Sequence, residues 1–314
     1  QGHLLQHWEH LDEQQQKHLV DEIKGLALDE LHTMFDAVLQ HKDVISKGEW
    51  APPSTIPLAE NVEQKERDVH ASDAGKKILS EGKVGAFLVA GGQGTRLGFD
   101  GPKGMYPIGP VTGRTLFAYH AQRVLATCRR YQTQLPLYVM TSRANHQETQ
   151  TYFEESGHFG LDPDQVLFLP QGMLPAIDHQ GRILMQSKYE IALSPDGHGG
   201  CFTAMEKGGA FEHMRACGVE HIFYFQVDNP LVSIAAPLFC GLHDLTGSDM
   251  SLKVLEKTGP GEKIGVVATR DGVARVVEYT DLSREQADLR DSTGDLVFSL
   301  GSIGIHLLRR EFIE

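Results

Sequence analysis

Residues 88–109 read Leu-Val-Ala-Gly-Gly-Gln-Gly-Thr-Arg-Leu-Gly-Phe-Asp-Gly-Pro-Lys-Gly-Met-Tyr-Pro-Ile-Gly. The stretch opens inside an apolar run, residues 84–90, that has the length and character of a buried parallel strand. Five glycines follow between Gly91 and Gly101. A strand ending in such a turn leaves backbone N–H groups pointing outward with no side chains in the way. It can therefore wrap a polyphosphate or receive a base edge. Arg96 and Lys103 place two cations within a few residues of the turn. Glycines with Arg96 and the Pro102-Lys103 pair predict nucleotide chemistry where glycines alone would predict little.

Other phosphate-binding signatures fit less well. Gly92-x-Gly94 followed by Gly98 places the third glycine one residue late for a dinucleotide fingerprint, and Pro102-Lys103-Gly104 would break the helix that should carry the pyrophosphate. A Walker loop needs Gly-Lys-Ser/Thr, which the stretch lacks.

Outward from this stretch, strand and helix patterns alternate. Residues 135–142, 166–170 and 221–227 read as strands, 146–156 as a helix, and 203–217 as a helix interrupted at Gly208-Gly209. Residues 251–257, 265–269 and 275–279 read as further strands, the last two joined as a hairpin at Arg270-Asp271-Gly272. The alternation predicts an α/β fold: a doubly wound, mostly parallel, Rossmann-like sheet with ligands at strand C-termini. Before it, Leu4, Leu5, Trp8, Leu11, Leu19, Ile23, Leu26, Leu28, Leu31, Phe35, Val38 and Leu39 recur at helical spacing. They predict two or three amphipathic helices forming an N-terminal satellite. Pro52, Pro53 and Pro57 mark residues 48–62 as a linker or extended wrap. The organisation expected is 1–62 for helical region and linker, and 63–314 for the catalytic domain.

The chain has 314 residues, 40% hydrophobic and 23% charged, as expected of a globular protein with one large core. A net charge of −13 argues against nucleic acid or an anionic membrane as partner. It leaves room for a nucleotide, because a site needs only local positive charge. No apolar stretch reaches a membrane span and no signal-like segment opens the sequence, so a cytoplasmic location is expected. Cys128, Cys201, Cys217 and Cys240 are irregularly spaced without Cys-x-x-Cys, and the 16 histidines include no His-Glu-x-x-His. Neither zinc nor a disulfide framework is expected.

Nucleotidyl transfer asks a protein to align two mutually repelling anions and to neutralise charge as pyrophosphate leaves. Arg96 can fork onto phosphate oxygens, and Lys103 can follow charge onto the leaving group. Asp228 ends the most hydrophobic strand pattern, where a carboxylate can ligate Mg²⁺. It would serve equally as N-cap of a following helix.

Leu-x-Ala-Gly-Gly-x-Gly-Thr-Arg-Leu-Gly followed by Pro-Lys-Gly-Met-Tyr resembles the signature of the eukaryotic-type UDP-sugar pyrophosphorylases, and most of all their UDP-N-acetylglucosamine (UDP-N-acetylhexosamine) members. The resemblance runs from Gly2-His3-Leu4-Leu5 to Gly301-x-Ile303. It implies a nucleotidyltransferase/glycosyltransferase-A-like fold and a uridylyltransferase. UTP and N-acetylglucosamine-1-phosphate would give UDP-N-acetylglucosamine and pyrophosphate, with Mg²⁺ (or Mn²⁺) as cofactor.

The same resemblance assigns the site. Arg96, Lys103 and Asp228 are catalytic, Asp228 contacting metal or sugar phosphate; Ala90, Gly91, Gly92, Gly94 and Thr95 hold the nucleotide. Gln171, in Leu-Pro-Gln-Gly-Met-Leu-Pro, reads the uracil edge with its donor and acceptor. Gly197, in Ser-Pro-Asp-Gly-His-Gly-Gly, lies against the base. His198, Gly265, Glu278 and Ser302 face the sugar. His198 stands where N-acetylhexosamine members typically carry Asn and UDP-glucose relatives have a Gly-His-Gly loop; Ser302 stands where Asn is usual. These departures imply altered sugar choice, with a UDP-glucose or broad UDP-sugar pyrophosphorylase, or a non-catalytic UDP-sugar binder, as alternatives. Family members continue past the Phe312 region with a further phosphate-contacting lysine, which implies that the catalytic domain lacks its C-terminal part.

Overall fold

Alternating apolar side chains in the first predicted strand decide how the molecule is layered, because successive Cβ atoms point to opposite faces. A computed structural model describes residues 1–45 and 50–314, with side chains at 1–37 and 50–314. In β1 (Val84–Val89), Val84, Ala86 and Leu88 join one core and Phe87 joins a second on the opposite face.

The chain begins with single turns at Gly2–Leu5 and Trp8–His10, then α1 (Glu13–Lys24), α2 (Leu28–Ile45) and α3 (Val62–Ser80). After β1 come α4 (Leu116–Tyr131), β2 (Leu137–Thr141), α5 (His146–Glu155) and β3 (Val166–Pro170). The short strands β4 (Met173–Pro175) and β5 (Leu193–Pro195) pair with each other, and α6 (Gly200–Lys207) and α7 (Ala210–Cys217) follow. The remainder is β6 (His221–Gln226), α8 (Pro237–Thr246), β7 (Met250–Glu256), β8 (Val266–Arg270), β9 (Val273–Val277) and β10 (Leu300–Arg309).

The sheet order is β3-β2-β1-β6-β10-β8-β9, with β7 also on β10. β3, β2, β1 and β6 are mutually parallel, whereas β10 runs antiparallel to β6, β7 and β8. Phe117, Ala121 and Val124 of α4 and Ile78 and Leu79 of α3 cover one face of the parallel half. Met205, Phe211 and Met214 of α6 and α7 cover the other, which makes the sheet doubly wound. Burying each of these side chains other than Ala121 contributes about 1.5–3 kcal/mol. α3 crosses α8 at backbone contact: a Cβ on Gly75 would collide with the Pro237 carbonyl, and one on Gly241 with that of Ala71.

The register opens a gap in the sheet. Gly301 pairs with both Leu255 of β7 and Val266 of β8, while His306 pairs with both Leu252 of β7 and Tyr224 of β6. A strand has two edges, so β6 and β8 share one edge of β10 and leave a notch between them. The register of β10 shifts between Ser302 and Ile305 at this notch.

The N-terminal satellite packs on an excursion of the chain. Leu4, Leu11 and Leu19 meet Ile183 and Ile191, between β4 and β5. Val38 and Leu39 belong to α2, but their side chains lie outside the described residues, as do positions 48 and 49 of the expected linker. Ala51 exchanges backbone hydrogen bonds of 2.9 and 2.7 Å with Thr269, so the segment continues as an extended wrap on β8. Among the described residues no helix is long and apolar enough to cross a membrane.

Candidate active site

The glycine turn after β1 is held from below and left open above. Ala90 N–H donates to the Met140 carbonyl at 2.8 Å, and Asn145 Nδ2 donates to the Ala90 carbonyl at 3.1 Å. Gly94 N–H donates to the Gly101 carbonyl and Lys103 N–H to the Gly92 carbonyl, both at 2.9 Å, folding residues 92–103 back as a loop. Gly94 must lack a side chain, since a Cβ there would come within 2.8 Å of the Phe99 ring. These bonds occupy the N–H groups of Ala90 and Gly94, which therefore build the turn. The N–H groups of Gly91, Gly92, Gln93, Thr95 and Arg96 have no acceptor among the described residues. They are the donors an anion would find.

Lys103 begins a short turn, Lys103–Met105, and its side chain runs back over Gly92. Its Nζ donates to Asp228 Oδ2 at 3.0 Å, with the lysine side chain a quarter exposed and the carboxylate half-exposed. An ion pair this wet contributes at most about 1 kcal/mol to stability. Asp228 follows β6, and no helix begins until Pro237, whose N-cap is Ala236. The capping alternative for Asp228 therefore falls. Arg96 is exposed on the turn Thr95–Leu97, with no ion pair among the described residues, so its guanidinium is uncommitted.

Gln171 follows β3 and is buried. Its Nε2 donates to the Gly197 carbonyl at 2.8 Å, while Oε1 lies beside Gly91. One amide thus joins the two glycine loops and keeps its acceptor toward the first. Gly197 has φ +71°, the left-handed region that glycine adopts without strain. Asp196 packs its carboxylate against Gly172 and Gly200, where any Cβ would collide with it. His198 turns its ring to β6, where Nδ1 and the Tyr224 hydroxyl form a short hydrogen bond. Burial holds the Tyr224 phenol well above its usual range.

The remaining predicted residues, Gly265, Glu278 and Ser302, meet at the notch. Ser302 N–H donates to the Gly265 carbonyl at 2.8 Å, and Glu278 Oε1 lies 3.6 Å from where a Gly265 Cβ would be. Nine of the predicted residues thus form three groups: Lys103 with Asp228 and Gly92, Gln171 with Gly91 and Gly197, and Gly265 with Glu278 and Ser302.

Several supporting residues carry no spacing signature and were missed by sequence reasoning. Asn145, fully buried, also accepts from Ser142 N–H at 2.8 Å and so ties the end of β2 to the glycine turn. His120 Nε2 bonds the Val227 carbonyl at 2.8 Å, and Arg123 Nη1 donates to the Val232 carbonyl at 2.6 Å. One turn of α4 thus holds both ends of the Asp228 loop. Burial pushes the His120 imidazole down to about 4.

The family described as UTP–glucose-1-phosphate uridylyltransferase matches residues 28–309. UDP-N-acetylhexosamine pyrophosphorylase-like protein 1 of Homo sapiens is 35% identical over 328 aligned residues, covering 100% of this chain and 64% of that protein. UDP-N-acetylglucosamine pyrophosphorylase of Saccharomyces cerevisiae is 31% identical, covering 99% of this chain and 69% of its own length. The crystal structure of the uridine diphosphate N-acetylglucosamine pyrophosphorylase from Trypanosoma brucei in complex with inhibitor superposes with a TM-score of 0.86 at 30% identity, covering 100% of this chain and 65% of that one. The chain thus spans just under two thirds of the human and trypanosomal relatives.

Proposed function

The chain belongs to the UTP–glucose-1-phosphate uridylyltransferase family, and we propose that it transfers the uridylyl group of UTP to N-acetylglucosamine-1-phosphate. The observation that carries this reading is the Lys103–Asp228 pair lying over Gly92, beside backbone donors that have no acceptor among the described residues. A phosphate oxygen of the sugar phosphate attacks the α-phosphorus of UTP, the bond to the β-phosphate bridging oxygen breaks, and pyrophosphate carries that electron pair away. The free N–H groups of Gly91, Gly92 and Gln93 cradle the triphosphate, and Arg96 forks onto its oxygens. Lys103 exchanges Asp228 for the phosphate oxygens as charge grows on the leaving group. Gln171 Oε1 accepts the uracil N3–H, while one of its two amide N–H donors holds the Gly197 carbonyl.

No group of three or more His, Cys, Asp or Glu among the described residues could hold a metal by itself. A divalent ion that keeps waters and takes phosphate oxygens suits a lone, half-exposed carboxylate such as Asp228. Mg²⁺ (or Mn²⁺) held there would supply charge neutralisation across the phosphates. Glucose-1-phosphate is the alternative acceptor, favoured by the His198 ring being engaged with Tyr224. Four thiols without a disulfide support a reducing, cytoplasmic setting.

The test is pyrophosphate release with UTP, Mg²⁺ and separate sugar-1-phosphates (N-acetylglucosamine, N-acetylgalactosamine and glucose), with ATP and GTP as controls. Release with UTP and N-acetylglucosamine-1-phosphate is expected. A tenfold preference for glucose-1-phosphate would move the acceptor, and UTP binding with no release for any sugar would leave a non-catalytic UDP-sugar binder.

A further inference from the structure

The strand that carries Asp228 also carries a polar side chain that the reaction above leaves unused. Gln226 is the last residue of β6, two positions before Asp228, and it is half-buried. Its amide has no hydrogen bond among the described residues. It shares a face of β6 with Tyr224, the face from which the His198 loop is held.

Its place is built by the partner strand. Beyond the Tyr224–His306 pair, β10 shifts register, and the shift contains Gly304 at φ +67°. A Cβ on Gly304 would collide with Gln226 Nε2. The glycine thus leaves room for the amide to lie across bare backbone in the notch between β6 and β8. Asp228 stands on the β6 side of that notch, and Ser302, Gly265 and Glu278 stand on the other. A glutamine that only filled the bulge would bond the strand backbone, and this one does not. A primary amide offers two donors and an acceptor with two lone pairs, which suits vicinal hydroxyls or an acetamido group.

We infer that Gln226 is a specificity-determining residue of the acceptor pocket, its amide hydrogen-bonding ring substituents of the sugar. The inference rests on the uridylyltransferase reading, and it adds a contact from the β6 side that faces Ser302 and Glu278.

The experiment measures binding of UDP and of UDP-N-acetylglucosamine to the full chain by calorimetry, beside KM for UTP and for the sugar phosphate. Gln226→Leu should keep UDP affinity within twofold, lower UDP-N-acetylglucosamine affinity tenfold or more, and raise KM for the sugar phosphate alone. Gly304→Ala, which pushes the amide aside, should give the same selective loss if it folds. A folded Gln226→Leu protein with an unchanged ratio of UDP-sugar to UDP affinity overturns the inference and leaves the uridylyltransferase reading standing. A wild-type chain that binds UDP-N-acetylglucosamine no better than UDP overturns the acceptor pocket itself, and this inference with it.

Discussion

The parallel and antiparallel halves of the sheet build their parts of the site from different materials. β1, β2 and β6 are buried almost throughout and are covered on both faces. β9 is exposed at four of its five positions, and β7 is fully buried nowhere. At the ends of the parallel strands, main-chain N–H donors fixed by the core beneath them stand beside the side chains of Arg96, Lys103, Asp228 and Gln171. At the notch the polar groups are side chains: Glu278, Ser302 and Gln226. Main-chain donors cannot be exchanged by substitution, whereas a side chain can change without disturbing any core. The comparison predicts that nucleotide handling is rigid and costly to alter, and that sugar choice is adjustable one residue at a time.

The largest effect should come from Lys103→Ala, which removes the cation proposed to follow charge onto pyrophosphate. Turnover should fall about a thousandfold. The thermal midpoint should barely move, because the ion pair with Asp228 is half-exposed. A change in KM for the sugar phosphate alone would mean that Lys103 serves the notch and that nucleotide and sugar handling are not divided between the two halves.

Next comes the tolerance of each half to one added methyl group. Gly104 is buried, and a Cβ there would overlap the ring of Phe117, itself fully buried on α4. Gly104→Ala should cost about 1–3 kcal/mol, read from urea midpoints. Gly261, between β7 and β8, would carry a Cβ with nothing within 4 Å. Gly261→Ala should stay within about 0.5 kcal/mol. Equal costs would show the two halves to be equally packed.

Acid stability tests the one property the halves share. His120 on α4 and His306 on β10 are both pushed down to about 4, chiefly by burial. Arg123 adds to the effect at His120 and Asp228 opposes it, while His198 adds to it at His306. The unfolded chain protonates them near 6.5, so it binds more protons than the folded chain between pH 6.5 and 4. Both cost nothing above that window, and stability falls as pH drops through it. Each steepens the loss by up to about 1.4 kcal/mol per pH unit. His120→Gln and His306→Gln should each flatten the dependence of the urea midpoint on pH by that amount, and an unchanged slope would show that the imidazole is hydrated when folded.

The same contrast governs what could be read from the sequence. β1 and its turn were legible because the apolar run and the glycine cluster are local signals, and the β8–β9 hairpin turns at Asp271-Gly272 within the expected Arg270-Asp271-Gly272. β10 was not legible. Its segment, Leu-Gly-Ser-Ile-Gly-Ile-His-Leu-Leu-Arg, is broken by two glycines, and it becomes a strand because β6 and β7 pair with its two edges. The notch exists only once β10 is placed, so Gln226 and Tyr224 had no sequence signal to mark them. Nor could the sequence tell whether Asp228 caps a helix, since that depends on the chain delaying its next helix to Pro237.

The smallest effect concerns the loop that joins the halves. Residues 196–200 are held at Gly197 by Gln171, from the parallel half, and at His198 by the Tyr224 hydroxyl, on the face of β6 that leads to the notch. Tyr224→Phe removes one hydrogen bond to an exposed ring, a net change of about 0.5–1.5 kcal/mol. The Phe87 ring stacked on Tyr224 at 5.6 Å keeps its partner, so the core should be undisturbed. KM for the sugar phosphate should rise about threefold, at the lower end of that range because the His198 ring is solvent-exposed. KM for UTP should stay constant, because Gln171 still holds Gly197. If both constants rise together, the loop moves as one body and the nucleotide and sugar ends are coupled through it. If only the sugar constant rises, Tyr224 acts on the notch alone, and the line between a main-chain nucleotide site and a side-chain sugar site runs between Gly197 and His198.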